Sequence, residues 1–139
     1  MTINSITIEG FKSIKQQVVP LNQINILIGG NGIGKSNFVS SLEFLKAISQ
    51  RRLQNYVIEK GGADSLLHFG KRTTNCAKIE LEFNNNDNTN RYGVVLKESQ
   101  DKLYISEAYT SYFSSGKWYK QICDTDKEEA SIDDDRRGQ

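Results

Sequence analysis

One proline, one histidine, one tryptophan and two cysteines are spread over 139 residues, and each scarcity closes off a class of explanation. A single histidine with two distant cysteines, Cys76 and Cys123, and no C-x-x-C pair offers too few soft ligands for a zinc site. The same two cysteines are too few for a disulfide framework and read as reduced thiols. No apolar run approaches the ~20 residues needed to cross a bilayer, and the first residues lack the basic-then-apolar layout of a signal peptide. The expected compartment is therefore the cytoplasm, with no membrane partner. No internal repeat of solenoid length is present. What remains is ordinary for a globular chain, at 37% hydrophobic and 25% charged residues, enough for one domain with a buried core.

The net charge of +1 hides an asymmetry. Seven of the 17 acidic residues lie from Asp124 onward, against three of the 18 basic ones, so the part before it holds 10 acidic and 15 basic residues, a balance of +5. A mildly basic body suits an anionic ligand but does not by itself argue for DNA. The expected division is a folded unit over 1–123 and a charged, disordered tail over 124–139.

Along the chain, Ile3, Ile6 and Ile8 among threonines predict a strand over Thr2 to Gly10, and Ile14 to Val19 a second one closed by Pro20. The run Ile24-Asn25-Ile26-Leu27-Ile28, ending at Gly29-Gly30, has the look of a short strand buried on both faces. The period then changes. Phe38, Leu42, Leu45 and Ile48, widened by Val39 and Phe44, predict a helix from about Lys35 to Gln50, with Arg51 to Lys60 continuing it or starting another. A short turn follows Gly61-Gly62, with Asp64 as a candidate cap and Leu66 and Leu67 as its apolar side. From about 78 to 123 the alternation predicts an antiparallel meander, with the asparagine-rich stretch Asn84 to Asn90 as a hairpin loop.

The residues between the apolar run and the helix carry chemistry. Gly29-Gly30-Asn31-Gly32-Ile33-Gly34-Lys35-Ser36 is a full match to G-x-x-x-x-G-K-[ST], the P-loop (Walker A) motif, in the strand-before, helix-after context that the motif requires. Phosphate oxygens need several N–H donors converging on one place, and a tight loop wrapped around an anion supplies them. Glycine at 29, 32 and 34 permits positive φ and close approach of the backbone. The helix start adds unpaired N–H groups and the positive end of a dipole. Lys35 would offset β- and γ-phosphate charge, and the Ser36 hydroxyl is a hard oxygen ligand for Mg²⁺. The competing reading is a glycine-rich turn with a solvated lysine.

Three segments together, Ile6-Thr7-Ile8-Glu9-Gly10-Phe11-Lys12-Ser13-Ile14, Leu21 to Gly29, and Asn31 to Asn37, resemble the ABC-like AAA family ATPases. That group includes SMC-like chromosome-maintenance proteins, overcoming-lysogenization-defect proteins and many bacterial predicted ATPases. Gly61 to Gly70, "GGADSLLHFG", resembles the last subgroup more weakly. The resemblance implies an α/β P-loop fold: a sheet mixing parallel and antiparallel strands, with the P-loop helix packed on it and an antiparallel meander continuing it. It implies ATP and Mg²⁺ as ligands, ATP over GTP being supported also by the absence of an Asn-Lys-x-Asp motif. Lys12 and Ser13 would lie near the nucleotide, and Asn37 close to it at the helix start. The alternative for Lys12 is a solvated turn residue.

Family members hydrolyse ATP with an acid-ended apolar strand (Walker B), a serine-glycine-glycine signature from a second head, and a switch histidine. None is found. Ser131-Ile132-Asp133-Asp134-Asp135 has one apolar residue before its acids, Ser114-Ser115-Gly116-Lys117 reads as a hairpin turn, and His68 comes too early, in a place that suits a buried or capping role. No catalytic residue is assigned. The expectation is the N-terminal half of an ATPase head, with hydrolysis dependent on a C-terminal half and a second head, and DNA as a partner of the full-length assembly. Two rivals stand beside it. One is a non-catalytic nucleotide-binding module. The other is a nucleic-acid platform built from Tyr104, Tyr109, Tyr112, Phe113, Trp118 and Tyr119 with Lys117 and Lys120.

Overall fold

The computed structural model describes residues 2–30 and 34–129. Alternation of apolar and polar residues forms six strands: β1 (Thr2–Phe11), β2 (Ile14–Pro20), β3 (Cys76–Asn85), β4 (Asn88–Ser99), β5 (Lys102–Ser114) and β6 (Lys117–Lys127). They join in one sheet of order β2-β1-β3-β4-β5-β6, every adjacent pair antiparallel. Between β2 and β3 lie α1 (Lys35–Ser49), α2 (Leu53–Glu59) and α3 (Ala63–Leu66). The sole proline, Pro20, ends β2 on the sheet's edge, where a missing N–H costs no ladder bond.

The expected mixed sheet is corrected: no parallel pair occurs among the described residues. The helical connection returns the chain to the far side of β1, so β2 and β3 both run antiparallel to β1 and never adjoin each other. The expected strand Ile24–Ile28 is also corrected. Residues 25–30 have no regular structure, and Ile24, Ile26 and Ile28 are 82%, 78% and 88% exposed. A strand buried on both faces needs a ladder partner on each side and cover above and below. No described segment supplies them.

One sheet face carries the core. Ile6 and Ile8 of β1, Ile79 of β3, Val94 and Leu96 of β4, and Leu103 and Ile105 of β5 are all buried, and the helices cover them. Phe44 of α1 sits centrally, its ring 5.2 Å from Phe11 and 5.3 Å from Tyr56. The buried stripe of α1 is Phe38, Ser41, Phe44, Ala47 and Ile48, while Val39 and Leu42 stay exposed. The helix is thus rotated from the expected centre on Leu42 and Leu45, because only its Phe44 side meets the sheet. α2 is a separate helix that follows Arg51, whose φ is 58.

One meander turn is tighter than expected. Asn86-Asp87 alone turns β3 into β4, so the strands consume most of the asparagine-rich stretch. Gln100-Asp101 and Ser115-Gly116 have positive φ at both positions, the twist that matches paired strands. Asp101 also corrects the expected cap of α3. The Asp64 amide donates to Asp101 Oδ1 at 3.1 Å and the Ala63 amide to the Asp101 carbonyl at 3.0 Å, whereas Asp64 itself accepts from the Lys71 amide.

The tail boundary at Asp124 moves as well. β6 continues to Lys127, with Asp124 buried opposite Ala108 and 3.0 Å from the Lys127 ammonium. Beyond it, the Glu129 carboxylate accepts from the Leu53 and Gln54 amides, both at 3.0 Å, and so satisfies two open N–H groups at the start of α2. Charged residues on an edge strand face water without breaking its ladder, which is why composition alone does not reveal this strand. Residues 130–139, with Ser131 to Asp135, lie outside the described residues. No helix among the described residues is long and apolar enough to cross a membrane.

Candidate functional site

The site forms where the β1–β2 hairpin turn meets the start of α1. Gly10 opens the turn with φ 68, and a Cβ there would stand 2.4 Å from the Cys76 carbonyl oxygen, so only glycine lets β1 lie this close to β3. Lys12 follows in the left-handed region at φ 49, unusual for a residue with a side chain. Its amide donates to the Leu66 carbonyl at 2.8 Å. Its ammonium lies 5.8 Å from the Phe11 ring centre, and the residue is half-buried. Loss of water lowers the Lys12 pKa below its ordinary value, and the neighbouring Lys60 charge adds to this while Glu43 opposes it.

Opposite the turn, Gly34 takes the left-handed conformation, φ 95 and ψ 3, and α1 begins at Lys35. No side chain caps this helix and no acidic residue lies in its first turn, so the positive end of the dipole is unopposed. The Lys35 ammonium folds back to donate to the Gly29 carbonyl at 2.5 Å, closing the loop across its own ends. Ser36 is exposed. Asn37 Nδ2 donates to Ser13 Oγ at 2.6 Å, joining hairpin turn and helix start.

The structure therefore brings Ser13, Gly34 and Asn37 together, with Lys12 beside Ser13 and Lys35 reaching Gly29. Gly30 is exposed, and Asn31, Gly32 and Ile33 lie outside the described residues. Among the described residues no group of three or more His, Cys, Asp or Glu side chains could hold a metal ion. Ser36, exposed at the helix start, carries a hard oxygen of the kind that suits a divalent cation. An uncapped helix start with a lysine beside it and no acid in its first turn is a fit for polyphosphate.

His68 is 9% exposed and its Nδ1 lies 2.7 Å from the Lys12 carbonyl oxygen, in keeping with the buried role expected of it. Its contact with the Lys12 turn has no local sequence signal, because 56 residues separate the two. The six aromatic residues of the platform reading do not share one face. Strand alternation puts Tyr112 and Tyr119 on the helix side, stacked at 5.2 Å, and Phe113, Trp118 and Tyr109 on the other. There the Arg91 guanidinium covers Trp118 at 3.9 Å and pairs with Glu82 at 2.9 Å, while Lys120 covers Tyr109 and pairs with Glu107. Arg91 and Lys120 are thus each already engaged with a ring and a carboxylate of that face.

Comparison with known proteins decides the family. The sequence matches the AAA ATPase domain over residues 1–135. The chain belongs to that family. It is 33% identical over 121 residues to structural maintenance of chromosomes protein 3 of Arabidopsis thaliana, a match covering 84% of this chain and 10% of that protein. It is 36% identical over 107 residues to urease accessory protein 2 of Cryptococcus neoformans, covering 71% of this chain and 8% of that protein. With the DNA replication and repair protein RecF of Renibacterium salmoninarum the identity is 32% over 88 residues, covering 60% of this chain and 22% of RecF. This AAA ATPase chain thus spans a small fraction of the length of these relatives.

Proposed function

We propose that this AAA ATPase chain binds Mg-ATP through Gly29 to Ser36. The observation that carries the reading is the start of α1: a left-handed Gly34, an uncapped and acid-free first turn, and Lys35 donating to the Gly29 carbonyl. In this reading the loop and helix amides hold the phosphates, Lys35 releases the Gly29 carbonyl to meet γ-phosphate charge, and Ser36 faces the magnesium ion. Lys12, Ser13 and Asn37 form the opposite wall. Bound magnesium would neutralise phosphate charge there, with Ser36 as the residue that would hold it.

Hydrolysis is assigned to a larger cytoplasmic assembly. The sequence holds no acid-ended apolar strand to orient water, so a further segment or a second head supplies that group in this proposal. Relatives named for chromosome maintenance and for DNA replication and repair support DNA as the object of the work. The test is ATP titration in magnesium and in chelator, followed by steady-state phosphate release. The expected result is magnesium-dependent binding, weakened in Ser36→Ala, with turnover at background. Binding indifferent to magnesium would remove the metal assignment, and robust turnover abolished by Lys35→Ala would place a missed catalytic carboxylate in this chain.

A further inference from the structure

Residues Leu66 to His68 have no part in the reading above, yet they hold the β1–β2 turn at several points. The Lys12 amide donates to the Leu66 carbonyl at 2.8 Å, the His68 amide donates to the Gly10 carbonyl at 3.0 Å, and Phe11 bridges Leu67. The His68 ring completes the clamp at the Lys12 carbonyl. A carbonyl oxygen can only accept, so His68 Nδ1 carries the proton. Thr74 Oγ1 donates to the His68 carbonyl at 2.6 Å and fixes the backbone behind the ring. On the other side of the turn, Ser13 meets Asn37. A left-handed non-glycine residue such as Lys12 persists only when its surroundings over-determine it, and these bonds do so.

We infer that His68 is a positioning residue for the nucleotide site, its Nδ1–H fixing the Lys12 carbonyl and thereby the turn that presents Ser13 to the start of α1. The inference rests on the P-loop reading above. His68 touches no phosphate; it acts through the turn. A histidine that merely fills core volume would be replaced without loss by an apolar residue of similar size. A positioning histidine needs a donor at the place of Nδ1. Asparagine puts an amide nitrogen at that bond distance from the backbone, and glutamine carries it one bond further out.

The experiment is Mg-ATP titration by calorimetry of the full chain and its His68→Asn, His68→Gln, His68→Leu and Lys35→Ala variants, each with a thermal melt. His68→Gln and His68→Leu are expected to bind about tenfold more weakly than the unmodified chain, the effect of losing one hydrogen bond's worth of preorganisation, and His68→Asn within about threefold of it. Amide exchange at Lys12 and Ser13 without nucleotide should be faster in His68→Gln than in His68→Asn at equal melting temperature. If His68→Leu does not fold, the Asn and Gln pair decides. Folded Gln and Leu variants that bind as tightly as the unmodified chain, while Lys35→Ala does not bind, would overturn this inference alone. A Lys35→Ala variant that binds normally would bring down the P-loop reading and this inference with it.

Discussion

Substituting Gly10 tests whether the turn at the site is held by space as well as by backbone angle. At φ 68 a Cβ costs ~1–2 kcal/mol in the left-handed region. It would also stand 2.4 Å from the Cys76 carbonyl oxygen and 3.2 Å from Thr74 Cγ2. That carbonyl is backbone of β3, paired in register with β1 through Glu9 and Lys78, so it cannot swing aside. Forcing the strands apart adds ~1–3 kcal/mol, and the stiffer unfolded chain returns ~0.4–1 kcal/mol. Gly10→Ala should therefore destabilise by about 2–4 kcal/mol. Gly116 is the control: its φ is 76 and a Cβ there meets nothing within 4 Å, so Gly116→Ala carries the angular cost alone, about 1 kcal/mol. Urea denaturation of both variants gives the difference. Equal losses would refute the claim that close approach to β3 dictates glycine at position 10.

Two further outcomes follow from the open sheet face and the exposed run before the loop. Burial first, then the hydrogen bond from its hydroxyl to Glu80, raises the Tyr109 pKa, and burial pushes Tyr92 up to about 12. A raised folded-state pKa gives stability that is complete below the ordinary tyrosine value and lost above it, so unfolding free energy should fall from about pH 10 upward. Tyr109→Phe should flatten that slope, followed by phenolate absorbance during denaturant titration; an unchanged slope would contradict the assignment. The exposed Ile24, Ile26 and Ile28 should make the chain self-associate, and Ile24→Ser with Ile28→Ser should reduce light scattering. A monodisperse unmodified chain at the same concentration would refute this.

Much of the meander was legible because strand alternation and turn chemistry are local. Ile79, Leu81 and Phe83 alternating with Glu80 and Glu82 mark β3, and Ser115-Gly116 marks the turn between β5 and β6. Elements whose state depends on distant neighbours were not legible. Ile24 to Ile28 has the composition of a buried strand, but a ladder needs a second strand, and none of the described ones lies beside it. The face that α1 buries was misread by part of a turn because Ser41 goes inward against the core while Leu42 faces out. Asp124 to Lys127 reads as tail by charge, yet pairing with β5 orders it.

The candidate site divides in the same way. Gly29 to Ser36 is contiguous, so its motif is visible without the fold. The resemblance in Gly10 to Ser13 and in Gly61 to Gly70 marked two segments, and the structure gives a physical reason for both: each holds the other in place. The bond from Asn37 to Ser13 spans 24 residues, and that between His68 and Lys12 spans 56. No spacing rule in the sequence announces either one.

The central claim, that this loop holds the phosphates of Mg-ATP, is tested most directly by calorimetric titration of the unmodified chain against Lys35→Ala. Lys35 is half-buried, and among the described residues its ammonium meets the Gly29 carbonyl alone, so its removal should leave the melting temperature nearly unchanged. A lysine offsetting phosphate charge contributes ~1.5–3 kcal/mol, so affinity should fall roughly ten- to a hundredfold or more. Equal affinity in two folded proteins would contradict the account.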